Sequence, residues 1–279
     1  MYALWNNLKT TLLMSGLMAL CLVVAYALGG PQAMVYGLVL GGLLNLLAFF
    51  FSDKIALMTV RAVPIARSDD PVLWDTVEQL AIKAGLPMPR VYLSPAAAPN
   101  AFATGRGPKH SAVCVTAGLR QILTDRELEG VIAHELAHIR HRDILISTVA
   151  AIVAGAITWL AHMAFFVGPM GTDRNRRSNP LVMLLIMVLA PLAATLIQLA
   201  ISRAREFEAD RAGARLVGSG RPLAQALAKL DAASKRYLLP VPDTQANMFI
   251  VAPLTGSDVA KLFMTHPPVH ERIARLNAM

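Results

Sequence analysis

Four stretches of this chain are long and apolar enough to cross a bilayer, and none contains Asp, Glu, Lys or Arg: roughly 11–29, 33–51, 144–168 and 181–201. A span takes about 20 apolar residues. In hydrocarbon every backbone N–H and C=O has to be paired inside the chain, so such segments fold as helices. Only 16% of the 279 residues are charged, whereas soluble domains run nearer a quarter. His162 reads as a tolerated polar residue near one end of the third stretch, and Pro191 predicts a bend in the fourth. The first stretch ends in a small-residue pattern, Ala25–Tyr26–Ala27, that could mark a signal peptide. Its apolar run is too long for one, its charged start is thin, and a second span follows at once, so it is read as a retained anchor.

The four spans divide the chain: 1–52 holds two transmembrane helices, 53–143 a first polar block, 144–201 two further membrane-associated helices, and 202–279 a second polar block. A short turn at 30–32 separates the first pair. With four spans both polar blocks share one side. Lys54, Arg61, Arg140, Arg142, Arg203 and Arg205 lie near the span ends on that side, and positive flanks mark the cytoplasmic face. Arg174, Arg176 and Arg177 on the opposite loop run against that rule. The third and fourth segments are therefore either full spans or a shallow helical hairpin. The net charge of +8 is scattered rather than striped, which argues for membrane flanks and against nucleic acid. Two cysteines, Cys21 and Cys114, imply no disulfide framework.

Within the first polar block, 70–87 has helical periodicity, an Asp-Pro start and a Gly-Leu-Pro stop. RVYLS (90–94), NAFATG (100–105) and SAVCVT (111–116) read as short strands. TAGLRQIL reads as helix. The next helix opens at Thr124, with Glu127 at the capping-box position. SRAREFEADRAGARLVG continues as helix after the fourth span, and 239–257 reads as a loop. The expected fold is mainly α with a small β-sheet, polytopic in the membrane.

The helix after Thr124 carries HELAH at 134–138. Residues four apart share a helix face, so His134 and His138 can grip one ion. Glu135 is angled aside, where it can act as a base toward a water at the ion without ligating it. This is the H-E-x-x-H zinc arrangement. The competing reading is two structural histidines and a surface glutamate; the predicted helix and its apolar neighbours Val131, Ile132 and Leu136 favour the metal. His141 is a further turn away and reads as an exposed residue near the helix end. The third ligand comes from elsewhere. In REFEAD, Glu206 and Asp210 share a helix face while Glu208 points away, with Arg205 and Arg211 as its surface partners. One carboxylate can ligate and the other can accept a histidine N–H.

HELAH followed by Asp143, SRAREFEAD after two apolar segments, and THPPVHERI near the end together resemble the HtpX-type integral-membrane zinc endopeptidases, bacterial relatives of the prenyl-protein CAAX proteases. The resemblance covers nearly the whole chain. It implies a gluzincin-type zinc metallopeptidase domain with one Zn2+ per subunit, held by His134, His138 and Glu206. It implies Glu135 as the base and Asp210 behind the ligands. It also implies that Asn100, Ala101 and Phe102 of NAFATG form an edge strand beside the cleft, where an extended peptide pairs through its backbone. A histidine of THPPVHERI would steady the oxyanion: His266, supported by Arg272, with His270 as the substitute. The plainer role of Thr265 or His266 is to start a helix before two prolines.

His138 precedes Ile144 by six residues, about 9 Å of helix, and Glu206 follows Ile201 by five. Both halves of the site are thus tethered near membrane segments. The expected activity is cleavage of cytosolic segments of membrane proteins. The stress and quality-control role for misfolded or damaged ones, at the cell inner membrane with the catalytic side in the cytoplasm, is what the resemblance implies. Polypeptides and the lipid bilayer are the expected partners. A structural-zinc scaffold fits less well, because three ligands leave an open position beside an acidic residue. A transporter fits less well, because the spans lack charge. A CAAX-processing enzyme is the nearest protease alternative, and four spans are few for enclosing a lipidated tail.

Overall fold

The computed structural model of the chain describes residues 2–143, 145, 203–234 and 267–279. The third and fourth apolar segments, the loops at 169–180 and 239–257, and both Thr265 and His266 lie outside them. The first element, α1 (Tyr2–Thr59), is 58 residues long with Pro31 inside it, about 87 Å at 1.5 Å per residue. Where the sequence reading places a turn at 30–32, the helix continues. Proline forfeits one N–H but holds φ at a helical value, which lets the helix pass through it. Counted over the described residues, no helix is long and apolar enough to cross a membrane. The polytopic arrangement therefore rests on the sequence.

The C-terminal end of α1 seats on a small mixed sheet. Strands β1 (Val63–Pro64), β2 (Arg90–Ser94), β3 (Ala101–Gly105) and β4 (Ser111–Thr116) lie in the order β1-β2-β4-β3. β2 and β4 are parallel, and the other pairs are antiparallel. Successive strand residues face opposite sides, and this alternation builds two cores. Ala112 and Cys114 of β4 join Phe102 of β3 against Ala56 and Leu57 of α1. Val113 and Val115, with Ala101, join the larger core beneath the helices. Every residue of β4 is buried because both faces are covered. An ion pair from Asp53 to Arg90 ties α1 to β2.

Local signals set the helix ends. Asp70 caps α2 (Pro71–Ala84), accepting from the Leu73 N–H, with Pro71 in the first turn and Gly85 in the left-handed conformation at the end. Thr116 caps α3 (Ala117–Ile122). Arg120 of α3 then pairs with Asp70 at 2.9 Å, joining α3 to the cap of α2. Thr124 opens α4 (Asp125–His141) with a full capping box: its hydroxyl accepts from the Glu127 N–H, and the Glu127 carboxylate accepts from the Thr124 N–H. Lys229 reaches the same carboxylate at 2.7 Å.

α4 is the central element. Leu128, Val131, Ile132, Ala133, Leu136 and Ile139 place it in the larger core. Two further helices pack on it, α5 (Arg203–Val217) and α6 (Arg221–Ser234), and α7 (Val269–Asn277) packs on those two in turn. The sequence reading has no counterpart for β1 or α6. Close approach is made by glycine. A Cβ on Gly213 would lie 3.0 Å from the His134 nitrogen, so α5 rests directly on the backbone of α4 at that histidine. Gly213, Asp210 and Glu206 recur at helical spacing on one face. The contact that brings the helices together therefore also delivers both carboxylates.

Candidate active site

His134 and His138 stand one turn apart on α4, with their Nε2 atoms 3.1 Å apart and their rings edge to face. Glu206 of α5 meets both: Oε2 is 3.7 Å from His134 Nε2, and Oε1 is 3.6 Å from His138 Nε2. Ligands about 2.0–2.1 Å from a tetrahedral zinc ion lie about 3.3 Å from one another. The three observed separations bracket that edge length, and these residues form the one group able to hold a metal among the described residues.

The outer ring nitrogens are also engaged. His134 Nδ1 lies 2.9 Å from Asp210 Oδ1, and His138 Nδ1 lies 3.0 Å from Asp143 Oδ2. A carboxylate on Nδ1 fixes the proton there and leaves the Nε2 lone pair for an ion. Asp143 reaches His138 through an unusual helix end. Arg142 is left-handed at φ 59°, and the Asp143 N–H turns back to the His138 carbonyl at 3.3 Å.

Arg272 of α7 is fully buried and grips Asp210 with two bonds, Nε to Oδ2 at 2.8 Å and Nη2 to Oδ1 at 2.7 Å. Its Nη1 lies 3.6 Å from Glu206 Oε2. Burial opposes ionisation of Asp210, yet Arg272 and His134 hold its carboxyl down at about 2. The mostly buried Arg205 faces Asp143 and Glu206, so it serves this cluster rather than the surface role the sequence reading assigns it. Glu135, Asp143, Glu206 and Asp210 carry four formal negative charges against two from Arg205 and Arg272. The deficit of two is what a divalent cation supplies. Donor set, spacing, fixed tautomers and charge all fit zinc.

Glu135 is 6% exposed and does not join the three ligands. Its Oε2 accepts from the Ala103 N–H at 2.7 Å. Burial raises its pKa, against the pull of His134, His138 and the Ala103 bond. Burial alone would lower that of His138, but Asp143, Glu206 and Glu135 carry it up to about 10.

The structure thus brings together His134, Glu135, His138, Glu206 and Asp210. β3 is an edge strand, paired only with β4. Of the residues expected along it, Asn100 and Phe102 are committed elsewhere. Asn100 exchanges bonds with Thr116, and the Phe102 side chain packs toward α1. Ala101 lies on the α4 side, but the backbone that meets Glu135 belongs to Ala103. His266 lies outside the described residues, and His270 is exposed on α7. Arg272 meets Asp210 and Glu206; its expected support of His266 falls outside the described residues. His141 is half-buried rather than exposed, and lies outside the metal-holding group. Glu208 pairs with Arg211 at 2.7 Å, as the surface reading has it. Asp143 and Ala103 carry roles that sequence reasoning missed. For Arg272 a signal existed: it occupies the apolar stripe of α7 with Val269, Ile273 and Leu276, where an arginine demands a buried anion.

Comparisons with known proteins agree with this site. The family model for Peptidase family M48 matches residues 67–279. A "Protease HtpX homolog" of Pelotomaculum thermopropionicum is 48% identical over 281 residues, covering 98% of this chain and 99% of that protein. A "Protease HtpX homolog" of Methylibium petroleiphilum is also 48% identical, over 99% of this chain and 98% of that protein. Among solved structures, the crystal structure of S. mikatae Ste24p is similar in fold, with a TM-score of 0.55, 18% identity, and coverage of 99% of this chain and 66% of that one. With the family model spanning well over half of it and full-length relatives at nearly half identity, the chain belongs to peptidase family M48, as an HtpX-type metalloprotease.

Proposed function

We propose that this protein is a membrane-anchored zinc endopeptidase that cleaves cytosolic segments of membrane proteins, misfolded or damaged ones above all. The observation that carries the reading is the convergence of His134, His138 and Glu206 within 4.8 Å, with the Glu135 carboxylate beside them, accepting a hydrogen bond from the edge strand β3. His134, His138 and Glu206 would hold one zinc ion. The chemistry a zinc ion would supply there is Lewis-acid polarisation of a water and of the scissile carbonyl. Glu135 accepts the proton of the attacking water and passes it to the leaving amine. Burial pushes the Glu135 pKa upward, which favours holding the proton between the two transfers. Asp210 and Asp143 hold the histidine rings and their tautomers. Arg272 keeps Asp210 ionised and in place. An extended peptide would lie along β3.

The membrane location is supported by four charge-free segments of lipid length and by the few residues that separate them from His138 and Glu206. The basic flanks favour a cytoplasmic catalytic side. A site tethered so close to the bilayer meets chain emerging from it more often than chain in bulk solution. The test is the cleavage rate of one unfolded loop presented free in solution or tethered to the same proteoliposome as the enzyme. Faster cleavage of the tethered loop is expected, and equal rates would overturn the membrane-substrate reading.

A further inference from the structure

The Glu135 carboxylate is held by a backbone group outside the hydrogen-bond ladder of its sheet. On β3 the Asn100 carbonyl accepts from the Thr116 N–H at 2.9 Å. In an antiparallel pair such bonds fall on alternate residues. Asn100, Phe102 and Thr104 therefore direct their N–H and C=O groups at β4, while Ala101, Ala103 and Gly105 direct theirs away. The Ala103 N–H obeys this parity, since it donates to Glu135 Oε2 at 2.7 Å. The sheet does not need that bond. The carboxylate does, because a buried anion is costly without a donor.

A glutamate on a helix has three side-chain torsions, and the helix backbone narrows only the first of them. One rigid donor facing the side chain selects a single orientation. We propose that the backbone amide of Ala103 is the positioning group of the reaction: it anchors Oε2 of Glu135 on β3 and leaves Oε1 for the water. The strand that a peptide would line is then also the strand that aims the base. Substrate register and base position are set by the same backbone, with no side chain of β3 involved. The inference rests on Glu135 being the base.

The test replaces the Ala103 amide by an ester, using the hydroxy-acid counterpart of alanine in the full chain, which removes the N–H and keeps the backbone path. The same replacement in a Glu135→Asp background measures the general cost of the ester to the strand. Ala103→Pro serves as a second variant, since an outward N–H is the one a strand can lose to proline. Losing one hydrogen bond to a charged group should lower kcat about 10–100-fold, with bound zinc unchanged. In a Glu135→Asp background, where the shorter side chain cannot span to Ala103, the ester should cause no further loss. A normal kcat in the Ala103 ester, or an equal loss in both backgrounds, would overturn the proposal. Full turnover by Glu135→Gln at matched zinc would instead overturn the base assignment beneath it.

Discussion

Asp143 Oδ2 lies 3.0 Å from His138 Nδ1 because Arg142, left-handed at φ 59°, reverses the chain between the helix and the aspartate. A carboxylate behind a ligand histidine is worth about 10–100-fold in metal affinity or activity. Asp143→Asn should weaken zinc binding by that order, read by competition with a chromophoric chelator. Arg142→Gly should leave affinity intact and stabilise the fold by roughly 1 kcal/mol, since glycine adopts the left-handed conformation without the Cβ penalty. A destabilised Arg142→Gly protein would show that the arginine side chain, not the turn, matters there.

Arg272 is the charge on which the interior of the site depends. Removing one member of a buried pair leaves the other uncompensated, at about 3–5 kcal/mol. Arg272→Met keeps the bulk and removes the charge beside Asp210 and Glu206. Chelator-treated Arg272→Met should lose most of its stability in urea titration, and zinc, by adding positive charge, should restore part of it. An unchanged midpoint without zinc would show that Asp210 needs no cation.

The metal-free protein should show two pH limits. The folded pKa of His138 is raised to about 10 from an ordinary value of 6.5. Its contribution to stability is therefore complete below about 6.5 and lost as pH rises through about 10. Asp210 is lowered from 3.8 to about 2, so its contribution is complete above about 4 and lost as pH falls through about 2. The Tm of chelator-treated protein should fall between pH 7 and 10, and His138→Gln should flatten that decline. Zinc displaces the His138 proton, so its affinity should rise over the same interval. A zinc affinity independent of pH would contradict the protonated state.

Elements whose ends carry their own chemistry were legible in the sequence. The Asp70 and Thr124 caps, the Gly85 stop and the short strand-like runs RVYLS and SAVCVT mark α2, α4, β2 and β4. Helical spacing puts His134 over His138 and Glu206 over Asp210 on shared faces, while the choice of Glu206 rather than Asp210 as ligand came from the family resemblance. Contacts that depend on tertiary register were not legible. Which β3 amide meets Glu135 depends on strand parity, and whether Asp143 returns to His138 depends on one left-handed residue. The two-residue β1 is too short to carry a pattern. The extension of α1 through Pro31 ran against the local breaker signal.

The central claim is that Glu135 moves the proton while the histidines and Glu206 hold the ion. The direct measurement is cleavage of an unfolded model protein by the detergent-purified full chain and by Glu135→Gln, both prepared with chelator, reloaded with zinc, and assayed for bound metal. Both should bind one zinc per chain, and turnover should fall at least 10³-fold in the variant alone, within the range reported for single catalytic groups. Turnover by Glu135→Gln near that of the native chain, at equal zinc, would contradict the assignment.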